Sequence, residues 1–163
     1  MRSLPTKALS VRAPWWWFIL HGGKDIENRD WQTDYRGPVL LHASKWWRQD
    51  GAMGDIEEAA SIMRAAGFRP LDSAFPKDEA GQPVRRLTPA MLKAPGGCIV
   101  GMVDIVGCVE RSDSPWFFGR FGLQLVNPVA FATPIPCKGM LGFFNVSDDV
   151  LDQVRVQIGE VRP

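Results

Sequence analysis

Lys24, Glu27 and Arg29 are the side chains in this chain best spaced to do chemistry together. They belong to Gly22-Gly23-Lys24-Asp25-Ile26-Glu27-Asn28-Arg29, a glycine-led turn that follows a tryptophan-rich segment. An extended backbone from Asp25 onward alternates its side chains, so Glu27 and Arg29 share a face with Asp25 while Ile26 and Asn28 take the other. Lys24, at the turn, lies close enough to join them. Such a group is either a solvated ion-pair cluster, which contributes little stability, or the polar floor of a binding cleft. In a cleft, Lys24 and Glu27 are the candidate catalytic pair. A partly desolvated lysine beside a second cation such as Arg29 has its pKa lowered toward use as a base or nucleophile activator, and Glu27 would relay protons or orient water.

Six of the seven tryptophans precede position 50: Trp15, Trp16, Trp17, Trp31, Trp46 and Trp47. The same stretch carries eight Lys/Arg against five Asp/Glu, a net of +3, whereas the remainder carries eleven against thirteen, a net of −2. Aromatic faces beside positive charge bind unstacked bases through stacking and phosphate contacts. Most of these rings are expected in the core. At about 100° per residue, however, three consecutive rings on one helix cannot all face inward. Trp15, Phe18 and Ile19 share one face, and Trp16 or Trp17 is expected at the margin near the turn. Arg29, Trp16, Trp17, Ser44, Lys45 and Trp46 are therefore the candidate binding residues.

With 163 residues, 45% of them hydrophobic, the chain fits one domain with a proper core. A net charge of +1 argues against long tracking along duplex DNA, which rests on many phosphate contacts. No run of about 20 apolar residues is present to span a membrane, and residues 1–11 lack the apolar core of a secretory signal. Cys98, Cys108 and Cys137 are odd in number and have no metal-type spacing; with only His21 and His42 beside them, no metal site is expected. Three free buried thiols in a cytoplasmic protein is the expectation. No cofactor is implied, because no glycine-rich phosphate loop occurs. No Ser/His/Asp or Cys/His arrangement is evident, and His42, inside an apolar run, is expected to be structural.

The elements that must position these residues follow in order. Ala8 to Val11 suits a first strand, and Pro14 opens a helix that Gly22-Gly23 closes. Ile26 to Trp31 reads as a second strand, and Val39 to Ala43 as a third, buried on both faces. Asp55 to Ala66 is an amphipathic helix ended by Gly67. Residues 68–96 carry five prolines and few apolar anchors, the signature of an irregular insertion acting as a lid or mobile loop, with one helical turn near Pro89 to Leu92. Gly97 to Val109 is a long strand whose glycines allow the bends of a closing barrel. Leu123 to Ile135 is a strand interrupted by Pro128, Gly142 to Val146 is the last strand, and Asp148-Asp149 cap a terminal helix reaching about Ile158. Irregular alternation of strands and helices argues for a mixed α+β barrel rather than a doubly wound sheet.

Leu9-Ser10-Val11 leading to Pro14-Trp15, then Gly22-x-Lys24-x-x-Glu27-x-Arg29, Tyr35-Arg36-Gly37-Pro38 and His42-Ala43-Ser44-Lys45, resemble the ASCH domain of the PUA-like superfamily. The late stretch from Pro134 to Val146 resembles that family's closing strand. The resemblance implies a single α+β domain over 1–163, a mixed β-barrel of five or six strands flanked by helices, with residues 68–96 as an insertion and a cleft beside the signature turn. Similar domains are associated with RNA binding and proposed coactivator roles. One branch hydrolyses the acetyl amide of N(4)-acetylcytidine through the signature lysine, here Lys24, and another has been linked to RNA cleavage. The amidohydrolase branch has threonine where this chain has Glu27, and uses a further glutamate beyond the long central strand, where this chain reads Glu110-Arg111-Ser112-Asp113-Ser114-Pro115-Trp116.

Three functions follow as expectations. The first is a reader of RNA or of a modified nucleoside, with Lys24, Arg29 and Lys45 supplying positive potential, a tryptophan stacking, and Glu27 accepting from a base edge as carboxylates do from the cytosine amino group. The second is a hydrolase of an acetylcytidine-type amide or, less readily, an RNA phosphodiester. The third is an interaction domain whose cleft is vestigial.

Overall fold

The computed structural model describes residues 3–45 and 52–160. Six strands and four α-helices are connected as β1 (Lys7–Val11), α1 (Trp15–His21), β2 (Ile26–Arg29), β3 (Gly37–Ala43), α2 (Ala52–Ala65), α3 (Pro89–Lys93), β4 (Cys98–Val109), β5 (Phe121–Pro136), β6 (Phe143–Asn145) and α4 (Asp148–Glu160). The strands form one sheet in the order β2-β5-β4-β3-β1-β6. Only β1 and β3 run parallel; the other neighbours are antiparallel. The sheet curls into a half-barrel, giving the α+β, PUA-like architecture expected.

Curling comes from β4 and β5. Their register shifts between Ile99 and Gly101, Met102 and Asp104, and Ile105 and Gly107. Each irregularity adds bend and twist to the ladder. One of them corrects the expected break at Pro128: β5 runs unbroken through it. Asn127 (φ 55°) and Pro128 fall between the paired residues Val126 and Val129, so a residue with no N–H is accommodated in the bulge.

Alternation along β1 and β3 divides the core. Leu9, Val11, Val39 and Leu41 join α1, α2 and α3 in one cluster, whereas Ala8 and Leu40 join Phe131, Phe144, Val150 and Val154 on the α4 side. Helix α1 is seven residues long, too short to persist alone. Burial holds it: Trp16, Trp17, Phe18, Ile19 and Leu20 are all in the core. Fully burying one such side chain is worth about 1.5–3 kcal/mol. At the other end of the chain, Ser147 is the N-cap of α4, its Oγ accepting from the Val150 N–H, so Asp148 and Asp149 lie in the first turn rather than capping it.

Residues 68–96 carry more anchors than expected. Thr88 caps α3, Leu92 is fully buried, and Phe75, Leu87 and Met91 pack against the larger cluster. Phe75 lies 5.6 Å from the Trp17 ring, and Arg85 pairs with Asp72. The three cysteines are free but half-buried, not buried as expected. None of the described helices is long and apolar enough to cross a membrane.

Candidate functional site

The site is built where the two ends of the curled sheet approach each other. Strand β2 is one edge; β1 lies next to the other edge, β6. The Arg29 guanidinium spans the seam, Nη2 donating to the Ser10 carbonyl at 2.7 Å. Trp31 and Tyr35 close the same gap on β6, with ring centroids 5.6 Å and 5.1 Å from Phe143. Above this seam lies a cleft of about 810 Å³, within the ~300–1,000 Å³ typical of small-ligand pockets.

Its floor is the charged turn. Gly23 takes φ +73°, and a Cβ there would lie 2.6 Å from Phe68 Cδ2, so only glycine turns the chain so tightly out of α1. Lys24 is therefore folded inward, 4% exposed, with Glu27 8% exposed. Lys24 Nζ donates to the Ile26 carbonyl and lies 3.8 Å from Glu27 Oε2, while Glu27 Oε1 lies 3.3 Å from Arg29 Nη2. Burial pulls Lys24 below the ordinary lysine range, opposed by the carboxylates of Glu27 and Asp25 and assisted by the Arg29 charge. Arg29 Nε is buried with no hydrogen-bond partner among the described residues. The solvated surface cluster is thereby excluded for Lys24 and Glu27.

The walls are indoles. Lys24 Nζ is 5.7 Å from the ring centroids of both Trp15 and Trp116, and the Arg29 guanidinium is 5.6 Å from Trp31, cation–π distances that favour positive charge between aromatic faces. Asn28 fastens the Trp116 wall. Its Nδ2 donates to the Trp116 carbonyl at 2.9 Å, and its Oδ1 accepts from the Phe118 N–H at 2.8 Å. Ser114 adds a bond to Asp25.

Lys24, Glu27, Arg29 and Ser44 all line this cleft. Trp16 and Trp17 do not: they are 6% and 2% exposed and lie in the core, and Trp15 takes the wall instead. The amphipathic-margin argument assumed a helix with one solvent face. Because α1 is enclosed almost all round, only its first residue reaches the cleft. Lys45 is exposed but lies against Gly97, away from the cleft, and Trp46 lies outside the described residues. No residue of 68–96 lines the cleft, so the lid expected from that segment does not cover this site. Trp116, Trp31, Ser10, Arg12 and Asn28 line the cleft without having been among the candidate site residues. Only Trp116 carried a signal, an isolated tryptophan after Ser-Pro beyond the long strand. That stretch lines the cleft with an indole; Glu110 is exposed and outside it.

His42 occupies a second, closed polar pocket. Its Nε2 lies 2.7 Å from the Cys137 carbonyl, which can only accept, so Nε2 carries the proton and Nδ1 accepts from the Ser10 hydroxyl at 3.1 Å. Burial lowers its pKa, which keeps the ring neutral. A Cβ on Gly139 would lie 2.3 Å from His42 Cε1, so the backbone seals the ring.

The match with known proteins agrees with this geometry. The model of the ASCH domain matches residues 9–118, which hold the end of β1, the signature turn and the Trp116 wall. The chain belongs to the ASCH domain family. Two similar proteins are Activating signal cointegrator 1 of Homo sapiens, 25% identical over 144 residues, and that of Mus musculus, 24% identical over 139 residues. Each alignment covers 80% of this ASCH chain and 20% of the relative, so the chain spans about a fifth of the length of these relatives. Among the described residues of this ASCH domain, no three His, Cys, Asp or Glu side chains gather as a metal-binding group.

Proposed function

We propose that this ASCH domain binds RNA or a modified nucleoside by taking one base into the seam cleft. One observation carries the reading: a floor of buried Lys24 and Glu27 with half-buried Arg29 opens into a cleft walled by Trp15, Trp31 and Trp116. A base stacks on an indole, worth roughly 1–3 kcal/mol. Its edge meets a donor–acceptor set of fixed geometry, with Glu27 accepting from an exocyclic amino group and Lys24 and Arg29 facing ring or phosphate oxygens. The net charge of +1 favours this local recognition over non-specific tracking. The family's association with RNA binding agrees. The test is a titration of short single-stranded RNAs and of free nucleosides against the pure protein and its Lys24→Ala variant. Saturable binding that the variant loses, with its fold retained, supports the reading; equal binding by both sinks it.

A second reading, hydrolysis of an acetylcytidine-type amide, is favoured by the placing of Lys24 3.8 Å from Glu27 at the cleft floor, with burial lowering the lysine pKa. A lysine whose pKa is lowered can take a proton from water and pass it to the departing amine, with Glu27 orienting that water. Incubation with N(4)-acetylcytidine decides it: release of cytidine that Lys24→Ala abolishes establishes turnover, and unchanged substrate leaves a reader.

A further inference from the structure

The loop between β5 and β6 carries the most exposed apolar side chains near the cleft. Leu141 is 98% exposed and Met140 64% exposed. Leu141 and Gly142 nevertheless line the cleft, so this tip stands at its mouth and not on a remote face. Its base is firmly held. The Cys137 N–H donates to the Gly97 carbonyl at 3.0 Å, the Cys137 carbonyl accepts from His42, and Gly139 rests against the His42 ring. A fixed base projecting a bare leucine into solvent is a wedge geometry, since nothing among the described residues covers the side chain.

We propose that the cleft takes a base turned out of a stacked RNA strand, and that the Met140–Leu141 tip fills the place this base vacates. The inference rests on the base-binding reading above and narrows its ligand from a free nucleoside to a nucleotide within structured RNA. A free nucleoside is served by the floor and the indoles alone and leaves Leu141 in water. A strand that gives up one base exposes two unstacked neighbours. Apolar side chains insert between base steps, and proteins that read a turned-out base hold it in a snug pocket by stacking and edge hydrogen bonds. Arg12 and Arg120, exposed cations that line the same cleft, suit the flanking phosphates. That charge complementarity favours a nucleic-acid strand over an apolar protein partner at the tip.

The experiment compares two ligands on three proteins. The ligands are cytidine monophosphate and an RNA hairpin with one unpaired cytidine; the proteins are the wild type, Leu141→Ser and Lys24→Ala. Leu141 is almost fully exposed, so its serine variant keeps the fold, which thermal unfolding verifies. Leu141→Ser is expected to lose at least about tenfold more in hairpin affinity than in mononucleotide affinity, the worth of burying one leucine. Lys24→Ala is expected to lose both ligands. Full hairpin affinity in Leu141→Ser, or equal loss of both ligands, overturns the wedge while the base-binding reading stands, and leaves the tip to another partner. Absence of wild-type binding to either ligand overturns both.

Discussion

Two buried polar groups flank Ser10, and they differ in how completely they are satisfied. On one side the Ser10 hydroxyl and the Cys137 carbonyl occupy both nitrogens of His42, and Gly139 covers the ring. On the other side the Ser10 carbonyl receives Arg29, whose Nε is left without a partner among the described residues. Lys24 and Glu27 beside it are nearly as buried as His42, yet they face a cleft of about 810 Å³. Burial alone does not mark a site. A buried polar group whose capacity is filled locks the fold. One with capacity left over, beside an open volume, is held ready for something from outside.

The strongest way to break this comparison is Glu27→Ala. Removing one partner of a buried charge pair costs about 3–5 kcal/mol because the other charge is left uncompensated, here Lys24. Urea unfolding should register that loss together with loss of ligand. Lys24→Met leaves Glu27 paired with Arg29, so it should lose the ligand with a smaller stability penalty; equal penalties for the two would mean that Arg29 does not support the carboxylate.

Next in size is the contrast within α1. Trp15→Ala should weaken RNA binding by about 1–3 kcal/mol with little change in unfolding. Trp17→Ala should do the reverse, because its ring is in the core. Reversed outcomes in a binding titration would put the wrong indole in the wall.

His42→Ala is expected to cost about 2 kcal/mol, the penalty for leaving the Ser10 hydroxyl and the Cys137 carbonyl unpaired, and to leave ligand affinity unchanged. If denaturant unfolding matches the wild type and affinity falls instead, the closed pocket belongs to the site after all.

The smallest effect is in the pH profile. Burial lowers His21 from 6.5 to about 4. Between those values the unfolded chain binds a proton that the folded chain does not, so stability falls as pH falls through this window. His42 is shifted in the same direction. His21→Gln should flatten the loss between pH 6.5 and 4 in thermal scans. An unchanged slope would assign the acid sensitivity elsewhere. Lys24, also lowered, gives the same sign at the alkaline end, where stability rises with pH up to its ordinary value of 10.5.

Local patterns determined much of this protein from sequence alone. Turn chemistry, apolar runs and the 3.6-residue period located each described strand and α-helix within a few residues, because each depends on neighbours in the chain. The spacing of Lys24, Glu27 and Arg29 announced a cluster for the same reason: a four-residue strand keeps Glu27 and Arg29 on one side. Tertiary structure decided the rest. It buried Trp16 and Trp17 and turned Trp15 to the cleft, because α1 is enclosed between the sheet, α2, α3 and Phe75. It carried Pro128 through a bulge, since the β4 partner strand could shift register. It brought Ser10 and Trp116 to the signature turn from 19 residues before Arg29 and 88 residues after Asn28. Contacts that close a curled sheet depend on how far it bends, and that sum over many bulges is a property of the whole fold rather than of any segment.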